Sequence, residues 1–177
     1  MPYKVEIRSL LESLSSSRTL HGEFDASDIE LGGQPFSFNG PVTFEVTLTN
    51  SGAGIVASGT ARATLETPCV RCLCDTRVAM EAEVDGFYVR PGHANEFPEE
   101  QEVELIGDDS TIDLEPAIMA SVVVELPFAP VHDADCKGIC PVCGGDLNIT
   151  ECGCVAPAKP SPFDVLKSFA DTDGSVS

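Results

Sequence analysis

The sequence predicts an α+β fold: an antiparallel β-meander or barrel-like core, a few short helices, and a C-terminal zinc-knuckle segment. Apolar and polar residues alternate between residues 42 and 89, which is the pattern of strands with one buried face. Five of the eight cysteines fall within residues 136–154, a density typical of a metal-binding segment. We therefore assign residues 1–130 to the β-rich core, 131–155 to a cysteine-rich metal-binding segment, and 156–177 to a linker, a short helix and a disordered tail.

The N-terminal region predicts a strand, a short helix and a second strand. Residues 3–8 are typical of a short strand, and residues 20–24 of the strand that returns. A turn is indicated by the Gly-Gly-Gln-Pro sequence at residues 32–35. The short helix is indicated by an apolar stripe at helical spacing, formed by Ile7, Leu10, Leu11 and Leu14.

Three longer strands are predicted next. The first begins at Val42, the second runs from Ile55 to Glu66, and the third runs from Arg77 to Val89. Their short connections favour antiparallel pairing of consecutive strands. The expected inward-facing residues are Val42, Phe44, Val46, Leu48, Ala61, Ala63, Leu65, Val78, Met80, Ala82 and Val84.

One helix is predicted after an acidic loop at residues 91–111, which holds at most a short strand at 103–106. Thr111-Ile112-Asp113 opens this helix with Asp113 as its cap, and Pro116 is tolerated in the first turn. Pro127 follows its end. The expected buried face consists of Leu114, Ile118, Val122 and Leu126. Beyond Cys154, we expect a linker, a short helix through Phe163, Leu166 and Phe169, and a disordered tail at residues 171–177.

The chain is strongly acidic, with 29 acidic and 10 basic side chains, a net charge of −19 and a pI near 4.2. Such a surface repels phosphate backbones, so basic proteins are the expected partners. The same charge could instead serve solubility alone. The opening residues are not those of a signal peptide, and no apolar run approaches the ~20 residues of a membrane span. We expect a cytoplasmic protein without membrane association, in which paired cysteines bind metal rather than form disulfides.

The strongest motif is Cys140-Pro141-Val142-Cys143-Gly144-Gly145, which has the form of a metal-binding knuckle. In such a turn two thiolates converge on one ion, while glycines allow backbone N–H groups to approach the sulfurs. A local site for structural Zn²⁺ would be completed by Cys152 and Cys154. This closure is slightly favoured because it requires no long-range geometry.

Other ligand sets remain open. The knuckle could instead meet a second C-x-x-C pair, Cys69 and Cys72, at the predicted hairpin end. Cys136 could replace one ligand, and all eight cysteines could hold two ions. Alternatively, Cys69, Cys72 and above all Cys74 could be small apolar residues in a turn.

No catalytic residue or cofactor-binding motif is indicated, and we predict that the protein is not an enzyme. An all-thiolate site leaves no open coordination position, so it would hold structure rather than activate water. A thioredoxin-type role is disfavoured because no βαβ pattern surrounds either C-x-x-C pair. His21, His93 and His132 are expected to be surface or loop residues, and His132 alone lies near the cysteine-rich segment.

An ordered set of short motifs extends from the middle of the chain to its C-terminal region. These are Cys69-Val70-Arg71-Cys72-Leu73, Ile112-Asp113-Leu114, the stretch from Glu125 to His132, the stretch from Cys136 to Gly144, Leu147-Asn148, Cys152-Gly153-Cys154, and Pro162-Phe163-Asp164-Val165-Leu166. In this order they resemble the YceD family, the large ribosomal RNA subunit accumulation proteins of bacteria and plastids. The resemblance covers roughly residues 40–170.

The resemblance implies a non-enzymatic role in 23S ribosomal RNA synthesis, processing or stability, and so in assembly of the large ribosomal subunit. Some family members lack the C-x-x-x-C-x-x-C cluster, so the resemblance does not itself imply that the metal is required. The expected partner is a large-subunit precursor or a basic ribosomal protein. Direct RNA contact would require a local basic patch around Arg62, Arg71, Arg77 and Lys137. The alternatives are a zinc-stabilised protein adaptor without a ribosomal role, and a thiol redox or metal-handling protein.

Overall fold

A computed structural model of the chain describes residues 2–98 and 103–155. The chain divides into two units, Met1–Cys136 and Lys137–Ser177. The linker, helix and tail predicted for residues 156–177 lie outside the described residues. The described helices and strands all belong to the first unit and are β1 (Lys4–Glu6), α1 (Arg8–Leu11), β2 (Ser17–Phe24), β3 (Ile29–Leu31), β4 (Gln34–Phe38), β5 (Val42–Asn50), β6 (Ile55–Pro68), β7 (Asp75–Val89), a 3₁₀ turn (Ala94–Glu96), β8 (Glu104–Leu105), β9 (Thr111–Asp113) and α2 (Glu115–Val124).

The main sheet is built around β6. Strand β7 pairs antiparallel with β6 along its whole length, from Ile55 opposite Tyr88 to Pro68 opposite Asp75. On its other side, β6 pairs with β5 and then, near its end, with β4. Strands β2, β3 and β8 extend the sheet beyond β5, β4 and β7, and only the β7–β8 pairing is parallel among the described strands. The predicted antiparallel core is confirmed, as an open sheet within the described part of the chain.

One face of the sheet carries the core of the first unit. The alternation predicted for β5 is confirmed, since its residues Val42, Phe44, Val46 and Leu48 are all buried. The inward residues of β6 are buried as well, whereas Val78 and Met80 of β7 are only half-buried. Helix α2 packs on β6 and β7 and closes this face. Burial of such apolar side chains, at about 1.5–3 kcal/mol each, is the main stabilising contribution to the fold.

The N-terminal strand and helix are confirmed, but the helix is shorter than its apolar stripe predicted. Ile7 and Leu10 are buried, whereas Leu14 is 71% exposed and lies beyond the end of α1. The buried amide of Asn50 accounts for this early end, because it donates to the carbonyl oxygens of Leu10 and Ser13 at 2.8 and 3.2 Å. The two carbonyl oxygens thus accept hydrogen bonds without a further turn of helix.

Residues 111–113 form a strand and do not open the helix as predicted. They pair with β1, with Ile112 opposite Val5, because the N-terminal segment offers an unpaired edge that sequence periodicity does not reveal. Leu114 occupies the N-cap position instead of Asp113. Asp113 still contributes, since its side chain accepts a hydrogen bond from the Glu115 backbone at 3.1 Å. The predicted buried face of α2, including Ile118 and Leu126, is confirmed.

The helices of the described residues are short. α1 spans 4 residues and α2 spans 10 residues. Neither is long enough to cross a bilayer, which requires roughly 20 apolar residues in a helix.

Candidate metal centres

The structure gathers the cysteines into two groups that could each hold a metal ion. In each group the candidate ligand atoms all lie within 4.8 Å of one another. The first centre comprises Cys69, Cys72, His132 and Cys136, and belongs to the first unit. The second centre comprises Cys140, Cys143, Cys152 and Cys154, and belongs to the second unit.

The first centre joins the β6–β7 hairpin to the segment that follows α2. Cys69 and Cys72 lie in the tight connection between the two strands, directly after Pro68. The Cys69 backbone donates to the Cys74 carbonyl at 2.8 Å, and the Leu73 backbone donates to the Cys69 carbonyl at 2.9 Å. These bonds fold the connection into a knuckle in which both sulfurs point the same way. The chain after α2 returns to this knuckle through a hydrogen bond from the Val70 backbone to the Pro130 carbonyl at 2.9 Å.

The distances in the first centre fit tetrahedral coordination. The sulfurs of Cys69 and Cys136 are 3.9 Å apart, and Nδ1 of His132 is 3.2 Å from Sγ of Cys72. Metal–sulfur bonds of about 2.3 Å at tetrahedral angles place two sulfurs roughly 3.8 Å apart. The three cysteines are buried and form a small cluster separate from the main core. Buried thiols gathered with an imidazole are the expected setting of a closed structural site.

Neighbouring groups shift the pKa values of two thiols of the first centre in opposite directions. Burial raises the pKa of Cys69, but hydrogen bonds with the His132 side chain and with nearby backbone groups outweigh it and bring the pKa to about 5. A bond with the Cys74 backbone favours the thiolate of Cys72, but burial and the thiols of Cys74 and Cys69 raise the pKa of Cys72. One sulfur thus carries charge beside a sulfur that retains its proton. A divalent ion would displace such protons on binding.

Arg71 holds the second half of the first centre in place. Its Nη1 donates to the carbonyl oxygens of Ala134 and Cys136 at 3.2 and 3.0 Å. Both carbonyls belong to the loop that carries the His132 and Cys136 ligands. The arginine therefore acts as an outer support that orients ligands without contacting the ion.

The second centre is built on the predicted Cys140–Cys143 knuckle. The Gly144 backbone donates to the Cys140 carbonyl at 2.9 Å, and Gly144 adopts a φ of +72°. The Val142 backbone N–H lies 3.4 Å from Sγ of Cys140, which is the contact that stabilises a thiolate in such turns. A short antiparallel bridge between Ile139 and Asp146 closes the loop.

The second centre is more exposed than the first. Cys140 is buried and Cys152 half-buried, while Cys143 and Cys154 are exposed. Hydrogen bonds from the backbone of Cys143 and Val142 lower the pKa of Cys140 to about 6. The neighbouring thiols of Cys143 and Cys152 raise the pKa of Cys154 to about 12. As in the first centre, closely packed sulfurs share the remaining protons, which is the behaviour expected of a ligand set.

The structure brings together all seven predicted ligand cysteines, divided between two centres. The four cysteines of the favoured local set lie together, and Cys69 and Cys72 are grouped with Cys136. His132 is the residue that sequence reasoning misses: it was expected to be a loop histidine, and its ring lies against the first centre. The available signal was the spacing from His132 to Cys136, which lies in the range found between zinc ligands. Cys74 is not a member of either group, although its sulfur lies 3.2 Å from that of Cys72.

The arginines of the predicted basic patch are already engaged. Arg62 pairs with Glu81, and Nη2 of Arg77 lies 3.0 Å from Oε1 of Glu66. Arg71 donates to backbone carbonyls, as described above. Lys137 belongs to the second unit. The three arginines therefore offer little free positive charge to a phosphate backbone.

Comparison with known proteins agrees with the ordered motifs. The model of the family described as "Large ribosomal RNA subunit accumulation protein YceD" matches residues 57–170, more than half of the chain. The chain belongs to the YceD family. The match begins within β6, so it includes the hairpin knuckle, α2 and both candidate metal centres of this YceD protein.

Curated relatives of this YceD protein occur in mycobacteria. Uncharacterized proteins of Mycobacterium tuberculosis and Mycobacterium bovis are 40% identical over 95 residues, which cover 53% of this chain and 45% of theirs. An uncharacterized protein of Mycobacterium leprae is 31% identical over 107 residues, covering 60% of this chain and 49% of its own. The chain thus spans about half the length of the curated relatives it matches. No solved structure matches it.

Proposed function

We propose that this YceD protein is a non-enzymatic cytoplasmic factor that supports accumulation of 23S ribosomal RNA and assembly of the large ribosomal subunit. The family match over residues 57–170 carries the proposal. The two centres support a structural rather than catalytic chemistry, because each offers four ligands and would leave no coordination position for substrate or water.

Zinc is the proposed ion at both centres. Three thiolates with one imidazole, and four thiolates, are ligand sets that zinc prefers in tetrahedral sites. The first ion would fasten the segment after α2 to the β6–β7 hairpin. The second would hold the loop between Cys140 and Cys154, where side chains as large as Ile149 are 82% exposed and little apolar area is buried. Structural zinc in small domains contributes about 10–16 kcal/mol of apparent binding free energy, which can replace a core.

A basic ribosomal protein is the proposed partner within large-subunit assembly. The net charge of −19 opposes direct coating of RNA, and the arginines Arg62, Arg71 and Arg77 already have partners. Ribosomal proteins that await assembly carry exposed basic segments, which an acidic surface could neutralise. The protein would act by holding such a partner until RNA is available.

The test is depletion of the protein in the organism that encodes it, with quantification of 23S against 16S ribosomal RNA and of large-subunit precursors. We expect a selective fall in 23S RNA that the wild-type gene restores. Complementation with Cys72→Ser and Cys143→Ser variants would then show which metal centre is required. An unchanged ratio of 23S to 16S RNA after complete depletion would refute the ribosomal role.

A further inference from the structure

The residue that follows the first knuckle is strained and exposed. Leu73 adopts a φ of +65°, a left-handed conformation that side chains with a Cβ rarely adopt. Its side chain is 63% exposed, so burial does not compensate the strain. The corresponding residue of the second knuckle is Gly144, which adopts this conformation freely. Neither the turn nor the metal ligands therefore require a leucine at position 73. Strain held at an exposed side chain points to a contact made outside the fold.

Leu73 is accompanied by other exposed apolar side chains in the same part of the first unit. Val70 of the knuckle is 42% exposed, and its backbone is bonded to the Pro130 carbonyl. On either side of Pro130, Phe128 is 92% exposed and Val131 is 36% exposed. We call Val70, Leu73, Phe128 and Val131 the knuckle patch. Hydrogen bonds from the Val70 backbone and the Arg71 side chain tie the knuckle to the segment after α2, so the patch includes residues of both segments.

Exposed carboxylates lie close to the knuckle patch along the chain, and we call them its acidic border. Asp75, Asp133 and Asp135 are all exposed, and each lies within three residues of a ligand of the first centre. The positive side chain within the knuckle, Arg71, is turned onto the carbonyls of Ala134 and Cys136. Exposed apolar groups beside carboxylates are complementary to an apolar side chain flanked by lysine or arginine.

We propose that the knuckle patch is the docking site for a basic protein segment that inserts an apolar side chain against Leu73. The inference rests on the proposed function and identifies where the basic ribosomal protein binds. A nucleic acid fits this surface poorly, because the border is acidic and phosphate groups would be repelled. The strained conformation keeps the leucine outward, where a partner can bury it.

The first test measures binding of a fluorescent synthetic peptide of alternating lysine and leucine to the zinc-loaded full chain. The variants are Leu73→Gly and Leu73→Ala, with Leu14→Ala as the matched control, since Leu14 is an exposed leucine of the first unit far from the knuckle in sequence. A peptide with glutamine in place of leucine reports binding by charge alone. Native mass spectrometry of each variant checks that the metal content is unchanged.

We expect both Leu73 variants to weaken binding of the lysine–leucine peptide by about tenfold or more, since a buried leucine contributes at least that factor. Binding of the glutamine peptide, and every affinity of Leu14→Ala, should match wild type. Added salt should weaken the lysine–leucine complex because the border is charged. Equal affinity of wild type and the Leu73 variants for the lysine–leucine peptide would overturn the proposal. The proposal would also be overturned if the variants lost affinity for a 23S RNA fragment but not for the peptide.

The second test places a benzoylphenylalanine photocrosslinker at position 73 in the presence of purified large-subunit proteins. We expect crosslinks to lysine- or arginine-rich segments of those proteins, and competition by unlabelled wild-type protein. Crosslinks only to residues 137–177 of the same chain would show that the patch is covered internally and would overturn the proposal. If depletion lowers 23S RNA while Leu73 variants bind normally, only the docking site is wrong. If depletion leaves 23S RNA unchanged, the proposed function itself is wrong.

Discussion

Leu73 and Gly144 occupy the same position in two knuckles of the same geometry. Each residue follows the second cysteine of a C-x-x-C pair, with φ of +65° and +72°. Each backbone N–H donates to the carbonyl of the first cysteine, Cys69 or Cys140, at 2.9 Å. The chain thus forms the same turn twice, once with glycine and once with a residue that strains it.

This relationship predicts opposite stability effects of exchanging the two residue types. A left-handed residue with a Cβ costs about 1–2 kcal/mol, whereas glycine adds about 0.4–1 kcal/mol of unfolded-state entropy. Leu73→Gly should therefore raise the free energy of unfolding by about 0.5–1 kcal/mol, and Gly144→Ala should destabilise its own unit by a similar amount. Thermal unfolding in saturating zinc measures both. A destabilised Leu73→Gly variant would show that the leucine packs within the fold.

Two zinc ions per chain are expected from the division of ligands between two centres. Native mass spectrometry of the protein purified without added metal should show two ions, falling to one in Cys72→Ser and to one in Cys143→Ser. His132→Ala should lose the ion of the first centre, while the matched His21→Ala variant, altered on the exposed face of β2, should keep both. Two ions retained in both cysteine variants would contradict the assigned ligand sets.

Removal of the Arg71 side chain should weaken the first centre without removing a ligand. Arg71→Met abolishes the hydrogen bonds to the Ala134 and Cys136 carbonyls, and outer supports of this kind typically contribute 10–100-fold in metal affinity. We expect zinc to be transferred to a chelator at least about tenfold more readily. Arg77→Met, which loses only an exposed ion pair with Glu66, is the control and should exchange zinc at the wild-type rate.

Glu104 should make stability depend on pH above the usual carboxyl range. Burial, and then the nearby Asp113 carboxylate, raise the pKa of Glu104 above its ordinary value of 4.5. The folded state therefore binds this proton more tightly than the unfolded chain. The resulting stabilisation is fully present below pH 4.5 and is lost as pH rises through the folded-state pKa.

A Glu104→Gln variant removes this dependence. Near pH 7 it should be more stable than wild type by less than about 1 kcal/mol, since the half-buried group is still partly screened by solvent. Near pH 4 the difference should vanish. Denaturant unfolding at both pH values measures this difference in stability. Glu23→Gln, the same substitution at an exposed position, is the control. A variant that is less stable than wild type at pH 7 would mean that the Glu104 carboxylate is stabilising.

Asn50 should be the most sensitive polar position in the first unit. Its buried amide donates to the Leu10 and Ser13 carbonyls, and its oxygen accepts from the Gly52 backbone at 2.9 Å. Asn50→Ala removes these three hydrogen bonds, although the Ser16 hydroxyl still donates to the Leu10 and Ser13 carbonyls, so the loss should be about 1–3 kcal/mol. Thr43→Ala, at an exposed position of the same strand, is the control. If the free energy of unfolding fell by less than about 0.5 kcal/mol, which is typical of surface substitutions, water would have replaced the amide.

Local patterns in the sequence determined the long strands β5 to β7 and the core face of α2. Residues 42–49 alternate strictly, and one face of a strand has no other arrangement that buries every apolar residue. The four cysteines of the second candidate centre all lie within residues 140–154, so local spacing was enough to propose them as one ligand set. The order of motifs was also enough to identify the YceD family.

Tertiary structure decided what depends on distant partners. Residues 111–113 became a strand because β1, over one hundred positions away along the chain, offered an edge to pair with. His132 stands at ligand spacing from Cys136, but its grouping with Cys69 and Cys72 arises because the chain after α2 returns to the hairpin, which spacing does not reveal. Periodicity and spacing reflect the physics of neighbouring residues, whereas strand pairing and the grouping of the first centre are settled only when distant segments meet.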